Sequence, residues 1–239
     1  MADKAPAEPL RFVYIFRFPD GSDKRFEVCL DPSTLALIPP ASSAKPEWTK
    51  LSYQQCDQCP LEGKVDSCPV AVNLSGLVEQ FQDTLSFEQA TVTVETAQRT
   101  VSRSTTVQQG LSSIIGMYMV TSNCPAMDAL RPNVRFHLPF ASTEETIYRA
   151  ISMYLTAQYF RMRRGEAPDW ELKHLAEIYK SVWRVNKGMT RRLAQASSKD
   201  ANVNAVIVLS TFGSTLDDYL EESLSEIAPL FAPPPAGKG

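Results

Sequence analysis

Arg11-Phe12-Val13-Tyr14-Ile15-Phe16-Arg17-Phe18, followed by Pro19-Asp20-Gly21-Ser22 and a second alternating run from Arg25 to Leu30, is the stretch on which the fold class turns. Aromatic and β-branched side chains on both sides of a reversal fit a pleated, half-buried surface, and Gly21 supplies the positive φ that a tight turn needs. Phe12, Tyr14, Phe16 and Phe18 fall on one face at a period of two. The expectation is a β-hairpin whose aromatic face must be covered by other elements.

Working outward, residues 31–50 carry Pro32, Pro39, Pro40 and Pro46, which cannot sustain a helix or central strand, so they read as a connector. A cysteine-bearing loop follows over 53–69, then a short helix around Leu74 to Phe81. Val92, Val94, Arg99, Val101 and Arg103 keep a period-two pattern from Thr91 onward and predict one further strand beside the hairpin. A helix over Val107 to Val120 carries Leu111, Ile114, Ile115 and Met119, with Gly110, Ser113 and Gly116 forming a strip of small residues where another backbone can approach. Asn123-Cys124-Pro125 ends it.

Beyond residue 140 the period becomes helical. Ser142-Thr143-Glu144-Glu145 is a capping-box pattern opening a helix with Ile147, Ile151, Tyr154, Leu155, Tyr159 and Met162, which ends near Gly165. Asp169 caps a second, striped by Leu172, Leu175, Ile178, Tyr179, Val182, Val185, Met189 and Leu193. A third starts near Asp200 and runs through Val206, Leu209, Leu216, Leu220, Leu224 and Ile227. The fold class is therefore α+β: an N-terminal antiparallel β-hairpin or small sheet with a cysteine-rich loop, packed beside a C-terminal antiparallel helical bundle. Its parts are a disordered lead-in over 1–9, a β-rich region over 10–105, a helical region over 106–229 and a disordered tail over 230–239. The two regions are expected to form one integrated domain.

Composition sets the class of function. The 239 residues are 44% hydrophobic and 21% charged with net charge −3, so no overall attraction to nucleic acid or anionic lipid is expected. No signal-peptide core is present at the start. The longest aliphatic run, Ala205-Val206-Ile207-Val208-Leu209, falls far short of the roughly 20 residues that span a bilayer. These features place the protein in the cytoplasm, where clustered cysteines bind metals more often than they form disulfides.

Three of the five cysteines lie within thirteen residues: Cys56-Asp57-Gln58-Cys59 and Cys68. Two thiolates separated by two residues can point at one ion, and tetrahedral Zn²⁺ with four sulfur ligands is a closed structural site. The neighbours Gln54, Gln55, Asp57, Gln58, Asp66 and Ser67 are polar, so this loop lacks a core of its own and gains order by binding metal. Cys124 is the expected fourth ligand, with His137 as the alternative. Cys59, Cys68 and Cys124 are each followed by proline, as at the close of a bacterial ferredoxin run, which keeps a 4Fe-4S cluster as the second reading; the spacing itself matches no ferredoxin pattern. Cys29 reads as a small hydrophobe packed in its strand and is left out of the site.

The remaining charge is distributed by face. Lys173, Lys180, Arg184, Lys187 and Arg191 line one side of the second bundle helix, and Asp217, Asp218, Glu221, Glu222 and Glu226 an acidic side of the third. Such faces pair with each other or with a protein partner before they bind nucleic acid. Arg161, Arg163 and Arg164 suit a helix C-terminus. Arg131, Arg135 and Arg149 near His137 could form an anion pocket, and a third reading is an enzyme of unknown reaction with its pocket there. Against it, no nucleophile elbow, phosphate loop, dinucleotide fingerprint or zinc-protease motif occurs. The leading expectation is a non-enzymatic structural-zinc protein that acts through a protein partner.

Overall fold

The computed structural model describes residues 8–39, 45–214 and 224–231. Strands β1 (Leu10–Arg17) and β2 (Asp23–Leu30) form the expected hairpin, with Phe12 opposite Val28 and Tyr14 opposite Phe26. Asp20 closes the turn by accepting the Ser22 N–H at 2.8 Å, and Gly21 sits at φ +88°. Phe12, Tyr14 and Phe16 are buried, as their shared face requires.

The single strand expected from Thr91 is instead a second hairpin, β3 (Gln89–Glu95) and β4 (Thr100–Thr106). The reversal has neither glycine nor proline. Thr96 makes it with its own hydroxyl, which accepts the Arg99 N–H at 3.1 Å, so the alternating pattern runs through the turn without a visible break. β3 pairs with the free side of β1, giving an antiparallel sheet of order β2-β1-β3-β4. One face holds Phe16, Val28, Val92 and Val94 against the helices. The other carries the Arg11–Glu27 ion pair at 2.6 Å and the hydroxyl pairs Thr91–Ser104 and Thr93–Ser102. Cys29 belongs to this second face: it is half-buried with its thiol 3.3 Å from the Glu27 carboxylate, which corrects its reading as a packed hydrophobe.

Helix α1 spans Pro69–Phe81 and starts five residues earlier than its apolar pattern predicts, because Pro69 is preorganised for the first turn and Cys68 takes the position before it. Phe81 at its far end meets Phe16 edge to face, ring centres 5.0 Å apart. Helix α2 (Val107–Val120) has the predicted bounds. Its small-residue strip makes three different contacts. A Cβ on Gly110 would lie 2.7 Å from both Phe16 Cε1 and Val92 Cγ2, so only glycine lets the helix descend onto the sheet there. Ser113 meets Tyr14, and Gly116 faces Leu209.

A one-turn helix α3 (Pro132–Arg135), unpredicted, precedes α4 (Thr143–Arg163). The capping box is present: Ser142 Oγ accepts the Glu145 N–H at 3.1 Å while the Ser142 N–H donates to Glu145 Oε2 at 2.7 Å. Helix α5 runs over Lys173–Ala196. Its N-cap is Leu172, at φ +60°, and not the expected Asp169, which lies three residues further upstream; the Asp169 carboxylate still accepts the His174 N–H at 2.9 Å and the Tyr154 hydroxyl at 2.6 Å, which ties α4 to α5. Helix α6 (Ala201–Ser214) lies against both α2 and α5. One apolar core runs continuously from the sheet through all the longer helices. Residues 1–7 of the expected lead-in, 232–239 of the tail, and Leu216, Asp217, Asp218, Leu220, Glu221 and Glu222 lie outside the described residues.

Candidate functional site

The cysteine loop is closed at its base by a short antiparallel bridge between Lys50 and Ser67, in which the Leu51 N–H donates to Asp66 O and the Cys68 N–H to Thr49 O, each at 2.8 Å. Within it, Gln58 adopts φ +57° between the two thiols of the C-x-x-C. A left-handed residue bends the chain back on itself there, where an extended chain would carry the two sulfurs apart.

The loop is held on α5 by more than its own turns. Arg192 is fully buried and donates to the carbonyls of Trp48 and Lys50 at 2.7 Å and of Leu51 at 2.8 Å. Arg191 reaches Gln55 O at 3.0 Å and the Asp57 carboxylate at 3.4 Å, and Lys187 stands 3.9 Å from Asp57. Part of the basic stripe therefore secures this loop. Gly188 lies directly beneath Cys56: a Cβ there would be 2.4 Å from its sulfur. From the other side, Asn123 at φ +63° turns the chain out of α2 so that Cys124 is buried.

Cys56, Cys59, Cys68 and Cys124 thus come from three segments into electrostatic reach of one another. Burial first, then Cys68, Cys59 and Cys124, pushes the Cys56 thiol up to about 12, with Arg192 opposing. Burial likewise pushes Cys124 to about 11, opposed by the Ala126 N–H and reinforced by Cys68 and Cys59. Among the described residues no group of three or more His, Cys, Asp or Glu is placed to hold a metal ion.

His137 is elsewhere. Its Nε2 lies 2.5 Å from the Tyr14 hydroxyl, which is itself 3.0 Å from Ser113 Oγ, and its ring packs edge-on to Phe12. Burial pushes its pKa down to about 3, with Arg149 adding to the effect. A half-buried histidine held neutral destabilises the fold in acid, because the unfolded chain binds a proton below about 6.5 that the folded chain refuses until about 3. Across that window His137 should cost up to about 1.4 kcal/mol per pH unit. His137→Gln, which keeps an acceptor for Tyr14, is expected to remove about one proton from the uptake on unfolding near pH 4.5. Urea titrations at several pH values measure this; an unchanged pH slope would contradict the assignment of a neutral ring.

The residues that sequence reasoning missed are Arg192 and Gly188. A signal existed: Arg192 falls three residues after Met189 and seven after Val185, on the apolar stripe of α5, where a charge is out of place unless partnered. Gly188 in a helix interior costs about 1 kcal/mol against alanine, and close packing is the usual reason.

Together these features define an α+β protein in which a helix-bound cysteine loop meets a fourth thiol from the end of a core helix. The chain belongs to the family described as Domain of unknown function (DUF6901), whose model matches residues 12–232. No curated protein and no solved structure matches it. Among the described residues no helix is long and apolar enough to cross a membrane.

Proposed function

We propose that Cys56, Cys59, Cys68 and Cys124 bind one structural Zn²⁺ as thiolates, and that the protein is a non-enzymatic cytoplasmic factor acting through a protein partner. What supports this reading is that Cys56 lies within electrostatic reach of Cys68, Cys59 and Cys124 and of the buried guanidinium of Arg192. That cation has three carbonyl partners, its buried Nε has no partner, and no described carboxylate forms an ion pair with it. An unbalanced buried cation is costly, and a tetrathiolate zinc, with net charge −2, would offset it. Raised thiol pKa values do not oppose the reading, since the ion itself displaces the protons.

A closed four-sulfur site has no position for water or substrate, which is why it serves structure. The surface suited to a partner is the exposed C-terminal end of α4, where Tyr159, Phe160 and Met162 stand among Arg161, Arg163 and Arg164. Aromatic and arginine side chains are the types enriched at protein interfaces.

Elemental analysis of protein purified without chelator is expected to return about one zinc per chain. In that form only Cys29, of the five thiols, should react with an alkylating agent. Cys124→Ser should reduce metal content and expose the loop thiols. A brown protein containing iron would replace zinc with a cluster, and full metal retention in Cys124→Ser would remove Cys124 from the ligand set.

A further inference from the structure

A cavity of about 1140 Å³ lies between α2, the segment around α3, α4, α5 and α6, apart from the thiols. Its walls are mostly apolar, with Met117, Met127, Ile147, Val182 and Leu209 among them. Its ionisable side chains are Arg103, Arg149, His137 and Tyr179, and no described Asp or Glu lines it, in a chain whose net charge is −3. Arg149 is half-buried, and its one hydrogen bond to a described group runs from Nη2 to the Asn133 carbonyl at 3.1 Å. No described carboxylate forms an ion pair with it, so the guanidinium keeps donors for a ligand.

His137 adds a directed donor. The Tyr14 phenol is a stronger acid than a neutral imidazole N–H, so across the 2.5 Å contact Tyr14 donates to Nε2 while accepting from Ser113. The ring proton then sits on Nδ1, which bonds no other described group. Arg149 acts electrostatically on the same ring and bonds the carbonyl of Asn133, four residues before His137, so both donors border the cavity at the segment around α3. This is the general form of a small-molecule site: a preformed apolar volume with a few convergent polar groups at one place.

We propose that this cavity binds an amphipathic monocarboxylate, its carboxylate held by Arg149 and the Nδ1–H of His137 and its hydrocarbon body lying along Met117, Met127, Ile147, Val182 and Leu209. A straight chain of roughly ten carbons fits within such a volume. The site is independent of the zinc reading, since no cysteine lines it.

Calorimetric titration of the full chain with decanoate tests the proposal, with decyltrimethylammonium as the probe of equal tail and opposite head. Saturable binding of one decanoate is expected, at least roughly tenfold tighter than the cationic probe, since a charge-assisted hydrogen bond is worth about that factor or more. Arg149→Met should lower decanoate affinity by roughly tenfold or more, and Arg149→Lys, which keeps the charge but loses the fork, by less. Circular dichroism confirms that each variant is folded, and Arg149→Lys carries the test if Arg149→Met is not. No saturable binding, equal binding of both probes, or decanoate affinity unchanged by the loss of the guanidinium overturns the proposal.

Discussion

Arg192→Met is expected to cost about 3 kcal/mol of folding stability, because the carbonyls of Trp48, Lys50 and Leu51 lose their donors in a buried place at 1 kcal/mol or more apiece. Recovery of the guanidinium's own desolvation penalty offsets part of any larger loss. The neighbouring Arg191→Met is the control. Its guanidinium is partly exposed and its contact with Asp57 is 3.4 Å, so its loss should cost under about 1 kcal/mol. Urea unfolding of the two variants measures the difference, and equal costs would show that Arg192 does not hold the loop. A second consequence separates Arg192 from a generic packing residue. Its charge opposes the upward shift of the Cys56 thiol, so its removal should move metal uptake to higher pH as well as weaken it.

The parts of this fold that were legible in the sequence are those in which one local rule decides the outcome. The β1–β2 hairpin follows from aromatic alternation around Asp20-Gly21, and the start of α4 from Ser142 and Glu145; both contacts appear as the pattern requires. The β3–β4 hairpin was not legible because Thr96 makes the turn through a side-chain hydrogen bond, which leaves no mark on hydrophobic periodicity. The start of α1 was missed for a related reason: Pro69 marks a first helical turn as readily as a loop, and the apolar pattern becomes regular only further on.

At the site, sequence spacing singled out Cys56, Cys59, Cys68 and Cys124, which act electrostatically on one another in the fold, but it could not show what faces them. Arg192, Gly188 and Cys56 meet only because α5 lies across the loop, more than 130 residues away in the chain. Likewise the pairing of His137 with Tyr14 and Ser113 joins three segments, and the strip of small residues on α2 gave no hint of which neighbour each would meet. Long-range contacts of single polar groups carry no period. They become visible only as exceptions to one, as Arg192 does on the stripe of α5.

Removal of the proposed metal is expected to have the largest effect of all and to reverse the sign of the pH dependence. In the metal-free chain the folded-state pKa values of Cys56 and Cys124, about 12 and 11, lie above the ordinary 9.0. Their contribution to stability is then fully present below pH 9 and is lost as pH rises through 11 and 12, at up to about 1.4 kcal/mol per pH unit for each thiol. With zinc bound the sulfurs are already deprotonated, so alkali has nothing to remove from them; acid instead destabilises, as protons compete with the ion for sulfur. Free zinc in roughly 1,000-fold excess over its dissociation constant should add about 4 kcal/mol at neutral pH, and a chelator should take it away. Thermal melts from pH 6 to pH 11, with zinc and with chelator, give two curves of opposite slope if the four thiols hold the ion. Two parallel curves would mean that these thiols stay protonated in both and that the convergence of the loop on Cys124 is packing alone.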